Sequence, residues 1–178
     1  GRPFIHRAEA VPEDDRDRKA NTILCQGNGI VQTNKETKVY FGRWRNAGED
    51  EQIEAFHGGG DIGIAHLEKD RWGALVLNPA APDGAIRSLP FTVANDGFAI
   101  GINAEEAQGL ELELLDERER PIGRTMGVTV DDGLDIRVRP SHELRRRFAE
   151  STLRLQVRLH RRGTTSPRLY ALYIHDEP

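Results

Sequence analysis

Two segments late in the chain alternate apolar and polar residues with a period of two: Leu110-Glu111-Leu112-Glu113-Leu114 and Leu153-Arg154-Leu155-Gln156-Val157-Arg158-Leu159. In an extended strand that period sends every Leu and Val to one face and every charge to the other. This is the pattern of antiparallel strands with one buried and one wet face. The polar positions are Glu in the first segment and Arg in the second, so the pattern predicts Arg154 and Arg158 near Glu111 and Glu113. Further strands are predicted at Ala85–Val93, Gly97–Asn103, Pro121–Val130, Leu134–Val138 and Arg168–Ile174. Turn residues separate them at the spacing of a β-sandwich, and Asn95-Asp96-Gly97 reads as a hairpin turn. One short helix is predicted over Ser141–Ala149, with Ser141 as its cap and Leu144 and Phe148 on a shared face.

Upstream, Ile23–Leu77 reads as four strands in one meander. Asn34–Thr37 is its first turn, and Ile62, Ile64 and Leu67 are expected in its core. Glu9–Lys19 is charged and aperiodic, and Asn78-Pro79-Ala80-Ala81-Pro82-Asp83-Gly84 is the strongest break in the chain. The expected organisation is an irregular lead over 1–20, a blade-like β-meander over 21–78 and a C-terminal β-sandwich over 79–178. The fold class is all-β: a jelly-roll-like antiparallel sandwich preceded by a four-stranded, propeller-blade-like meander.

Composition narrows the function classes. The chain has 178 residues, 37% of them hydrophobic and 30% charged, with 18 Gly and 9 Pro, which suits many short strands and turns. The net charge of −4 argues against nucleic acid as a partner. Arg145-Arg146-Arg147, with Arg154, Arg158, Arg161 and Arg162, makes one basic region. It lacks the interleaved aromatics of a strand-binding surface. No run approaches the roughly eighteen apolar residues of a membrane span, and Gly1–His6 has no apolar core of signal-peptide type. A single cysteine, Cys25, leaves no intrachain disulfide or thiolate zinc site and reads as a small buried hydrophobe.

The order of several motifs resembles a known family. Gly63-Ile64-Ala65-His66-Leu67 followed by Asp70-Arg71-Trp72-Gly73-Ala74-Leu75 is similar to the strands closing the final blade of five-bladed β-propeller glycoside hydrolases related to invertase, levanase and arabinanase. Gly84–Phe91, Leu110–Ile122 and Leu169-Tyr170-Ala171-Leu172-Tyr173 resemble the opening, middle and terminal strands of their appended β-sandwich. Pro3-Phe4-Ile5 echoes the preceding blade. The resemblance implies that the carboxylates of such an enzyme belong to earlier blades. The family's Asn-Asp-Pro, Arg-Asp-Pro and Glu-Cys motifs are absent, Asn95-Asp96-Gly97 lacks the proline, and Arg118-Glu119-Arg120 replaces the usual Asp-Gly turn. The implied function is a non-catalytic accessory region of a carbohydrate-active protein. Its partner would be the rest of a larger hydrolase or a partner subunit, with carbohydrate as a ligand. The alternative is an independent β-sandwich binding or assembly module, and a third reading is a small glycosidase in its own right.

Glycoside hydrolysis uses two carboxylates about 5 to 10 Å apart. Asp61, after Gly58-Gly59-Gly60, is the acid best placed by a loop, whereas Asp131-Asp132 before Gly133 suits a turn. No catalytic residue is assigned. The ligand-binding candidates are Trp44, His57, Asp61 and His66: Trp44 as an aromatic platform sharing parity with Tyr40 and Gly42, the others around the glycine loop. Trp72 is expected in the core. No cofactor or metal is assigned; calcium is the one cation considered, at Asp131-Asp132-Gly133 and Asp83.

Overall fold

The computed structural model describes residues 20–45 and 60–176, which divide into two compact units, Gly1–Lys69 and Asp70–Pro178. Glu9–Lys19 and the loop containing His57 lie outside the described residues.

The first unit is a three-stranded antiparallel sheet in the order β1 (Ala20–Gln32), β2 (Glu36–Arg45), β3 (Gly60–Glu68). The turn between β1 and β2 is closed by Thr33, whose Oγ1 accepts from the backbone N–H of Lys35 at 3.3 Å and of Glu36 at 3.1 Å. Thr is placed there because its hydroxyl mimics a turn hydrogen bond. One face buries Val39 and Phe41. Phe41 stands opposite Gly63, and a Cβ on Gly63 would overlap its ring, so only glycine fits under the aromatic. Ile62 and Ile64 take the other parity and are 77% and 46% exposed, not core as expected. The reason is the period itself: Leu67 lies at odd parity with Gly63 and Ala65, so the three cannot share a face.

The expected fourth strand of this meander is elsewhere. Leu75–Val76 (β4) pairs with Arg168–Asp176 (β12) in the second unit. Asp70, with a left-handed φ of 57°, ends the run after β3, and Leu77 enters the second core. Trp72 is 46% exposed rather than buried.

The second unit holds two antiparallel sheets. One has the order β10 (Gly133–Val138), β7 (Phe98–Glu105), β12, β4. The other runs β5 (Asp83–Arg87), β11 (Thr152–His160), β8 (Leu110–Leu115), β9 (Pro121–Gly127), with β6 (Phe91–Thr92) also on β11. Their inner faces form one core containing Phe98, Ile100 and Ile102 from β7, Leu110, Leu112 and Leu114 from β8, and Leu153, Leu155, Val157 and Leu159 from β11. An all-β sandwich-like fold with antiparallel sheets is therefore observed. Most connections cross between the sheets. Asn95-Asp96-Gly97 is one of them rather than a hairpin: Asn95 Oδ1 accepts from Gly97 N at 2.7 Å and turns the chain from β6 to β7. Asn78–Gly84 is a loop within this unit, fastened by Arg161, which donates to the carbonyls of Asn78, Pro79 and Ala81 at 3.2–3.4 Å.

The one α-helix among the described residues, α1 (His142–Arg147), is capped as the sequence predicts, with Ser141 Oγ accepting from Leu144 N at 3.3 Å. The β8–β9 hairpin turns at Asp116, whose Oδ1 accepts from Arg118 N and Arg120 N, both at 2.9 Å. Glu119 takes the left-handed position at φ 63°. On the wet face of the five-stranded sheet, Arg158 pairs with Glu113 at 3.3 Å and Gln156 Nε2 donates to the same carboxylate at 2.9 Å. Arg154 instead reaches Glu119 at 4.0 Å, because its partner across the ladder is Leu115. Among the described residues no helix is long and apolar enough to cross a membrane.

Leu112→Ala, at 0% exposure in the shared core, is expected to lower stability by about 3 kcal/mol in urea denaturation. Ile62→Ala is expected to change it by less than about 0.5 kcal/mol. Equal losses for the two would contradict this division of core and surface.

Candidate functional site

Of the four ligand-binding candidates, His66 is the one whose side chain lies within the described part of the structure. His66 lies on β3 with its Nδ1 2.9 Å from Glu36 Oε2, while Lys38 Nζ is 3.0 Å from Glu36 Oε1. The His66 hydrogen bond, then Lys38, holds the Glu36 carboxyl below the usual carboxylate range, and Glu36 in turn raises Lys38. These groups are solvent-facing, and pairs of this kind contribute little to stability. Asp61 stands opposite Arg43 in the β2–β3 register, five residues along β3 from His66. Five residues of strand span about 17 Å of backbone. Trp44 is placed opposite Gly60, and His57 is outside the described residues.

The calcium candidates are not gathered. Asp132 Oδ1 accepts from Arg71 Nη2 at 2.5 Å, and Asp83 opens β5 opposite His160. Among the described residues no group of three or more His, Cys, Asp or Glu side chains comes together in a way that could hold a metal.

The densest polar constellation is one the sequence did not reveal, on the outer face of the four-stranded sheet. Strand β7 sends Phe98, Ile100, Ile102 and Ala104 into the core, leaving Ala99, Gly101, Asn103 and Glu105 outward. Arg71, just after the unit boundary, lies over this face with its side chain only 8% exposed. Its Nε donates to Asn103 Oδ1 at 3.0 Å, its Nη1 to Glu105 Oε1 at 3.0 Å, and its guanidinium sits 4.9 Å from the centre of the Tyr170 ring. Asn103 is fully buried, and the Arg71 bond satisfies its amide oxygen. Arg168 also bonds Glu105, at 3.2 Å.

Alongside it, Tyr173 Oη donates to Asp70 Oδ2 at 2.6 Å, and His175 Nε2 lies 3.0 Å from Asp135 Oδ1. The His175–Asp135 contact passes directly above Gly101 of the central strand, where a Cβ would overlap both groups. Burial, reinforced by the Asp70 carboxylate, pushes the Tyr173 hydroxyl up to about 12. Burial and Glu105 raise Tyr170 in the same direction. A register shift in β12 between Leu169 and Ala171 brings these groups to one side: Leu169 and Leu172, three apart, both face the core. That spacing of three within an otherwise alternating strand was the available signal.

Chemically the constellation is a latch. Its cations and carboxylates are engaged with one another, and burial keeps its tyrosine hydroxyls protonated. The carboxyls of Glu36 and Asp116 are held below the usual range, Asp116 chiefly by the Arg120 backbone N–H.

No family model, curated protein or solved structure matches this chain.

The folded pKa of Tyr173 lies above the value near 10 of an unfolded chain. Its neutral-form contribution is therefore complete below about pH 10 and lost as the pH rises toward about 12. The stability gap between the chain and Tyr173→Phe is expected to be constant below pH 10 and to narrow above it. A gap unchanged up to pH 12 in urea titrations would contradict the assignment.

Proposed function

We propose that this chain is a non-catalytic accessory region that covers and stabilises an adjoining folded unit, with its three-stranded sheet as the contact surface. One observation carries the reading. Ile62, Ile64 and Val31 lie on the same face of that sheet, 77%, 46% and 46% exposed, where Val31 aligns with Lys38, Ile64 with Tyr40 and Ile62 with Gly42. Three large aliphatic side chains on one open sheet face are costly in water, and such patches mark interaction surfaces. β1 and β3 end the sheet, so its edges are positioned to meet a neighbour as well. Glu36, Lys38 and His66 form a polar end to the same face, giving the surface an apolar centre and a charged rim.

The finer reading is that the adjoining unit is a propeller of a glycoside-hydrolase-like, carbohydrate-active protein. It is supported by the motif order from Gly63 to Tyr173 and by a three-stranded meander that precedes a sandwich in the chain. In that setting carbohydrate cleavage belongs to the neighbour, and this chain stabilises it.

Sedimentation of the isolated chain against concentration tests the reading. The chain is expected to self-associate through the uncovered face, and Ile62→Lys with Ile64→Lys to remain a monomer of 20.0 kDa. A wild-type chain that stays monomeric at every concentration would overturn it.

A further inference from the structure

A cleft of about 700 Å³ opens between β9 and α1, at the margin of the sandwich. Its floor is apolar: Ile122 and Met126 from β9, with Leu144 and Phe148 from α1 and its end, all half-buried and packed on the core. The helix turns Leu144 and Phe148 inward because they are four residues apart on one face. The wall is cationic. Arg124 and Arg147 both line the cleft, and Glu143 is the single acidic residue among its lining groups. Neither arginine has a carboxylate partner among the described residues; Arg147 stacks 5.3 Å over the Phe148 ring. Most other arginines of this unit hold such a partner or a backbone carbonyl, Arg71, Arg87, Arg120, Arg158, Arg161 and Arg168 among them.

We propose that this cleft binds an amphipathic anion, a small molecule with an apolar body and a carboxylate or similar head. The volume falls within the range of small-ligand sites, roughly 300–1,000 Å³. The apolar body removes Ile122, Met126, Leu144 and Phe148 from water, and the head takes charge-assisted hydrogen bonds from Arg124 and Arg147, whose planar donors suit a carboxylate. An uncharged apolar ligand leaves both guanidinium groups unpaired, and a cationic one is repelled. The site is on the second unit and stands independently of the proposed contact face on the first.

The sequence contains one methionine, Met126, on the cleft floor. Its methyl group, labelled with ¹³C, is a single reporter of occupancy. Titration with decanoate below its micelle concentration is expected to shift that resonance with a Kd of about 1 mM or tighter, the range open to so small a ligand. Decanol and the variant R124Q/R147Q with decanoate should each bind at least about tenfold more weakly, reflecting lost charge-assisted bonds. The variant is expected to bind decanol as the unsubstituted chain does, which separates a lost head-group site from a collapsed cleft. An unmoved Met126 resonance, or equal affinity for decanoate and decanol, would overturn the proposal.

Discussion

Strand β11 holds the second unit together. It runs between β8 on one side and β5 and β6 on the other, and its Leu153, Leu155, Val157 and Leu159 are all at most 3% exposed. Burying such a side chain contributes about 2 kcal/mol, and a whole domain is stable by only about 5–15 kcal/mol. Everything else in the sandwich is arranged around this strand. β8 supplies the matching leucines in register, β7 closes the core from the facing sheet, and α1 lays Leu144 and Phe148 over the open margin. The outward side of β11 is used too, since Gln156 and Arg158 tie it to Glu113 on β8.

The two sheets differ in what they show to the outside. The five-stranded sheet carries a cross-strand ladder of charges, ordinary solvated chemistry. The four-stranded sheet carries the Arg71 and Tyr173 constellation, in which a nearly buried guanidinium satisfies a fully buried Asn103. A network of this kind is costly if half-made and rigid when complete. It fixes the segment Asp70–Arg71 on the outer face of the four-stranded sheet of its own unit.

Much of this was legible in the residues. Perfect alternation in Leu110–Leu114 and Leu153–Leu159 located the two core strands and the Arg158–Glu113 pairing, and Ser141 with Leu144 and Phe148 located the helix. Period-two patterns are readable because a strand's two faces have different solvents. What was not legible depends on tertiary contact. Ile62 and Ile64 look like core in a window of sequence, yet both stand on the exposed face of their sheet. The fourth strand, Leu75–Val76, was assigned to its sequence neighbours because strand pairing is not encoded by two residues. Trp72 was expected in the core because it resembles the aromatic that packs a final blade, whereas it is 46% exposed. The latch was missed because its members come from Asp70–Arg71, β7, Asp132–Asp135 and β12, which only the fold assembles.

The picture proposed is of two units, a sandwich with a well-packed core and a small sheet with Ile62 and Ile64 exposed on one face, which a neighbour would cover. The most direct check is native mass spectrometry of the particle that carries this sequence in its source cells. A mass well above the 20.0 kDa of this chain, from a longer polypeptide or a bound subunit, is the expected result. A free 20.0 kDa monomer, with Ile62 and Ile64 open to water in the cell, would contradict the account.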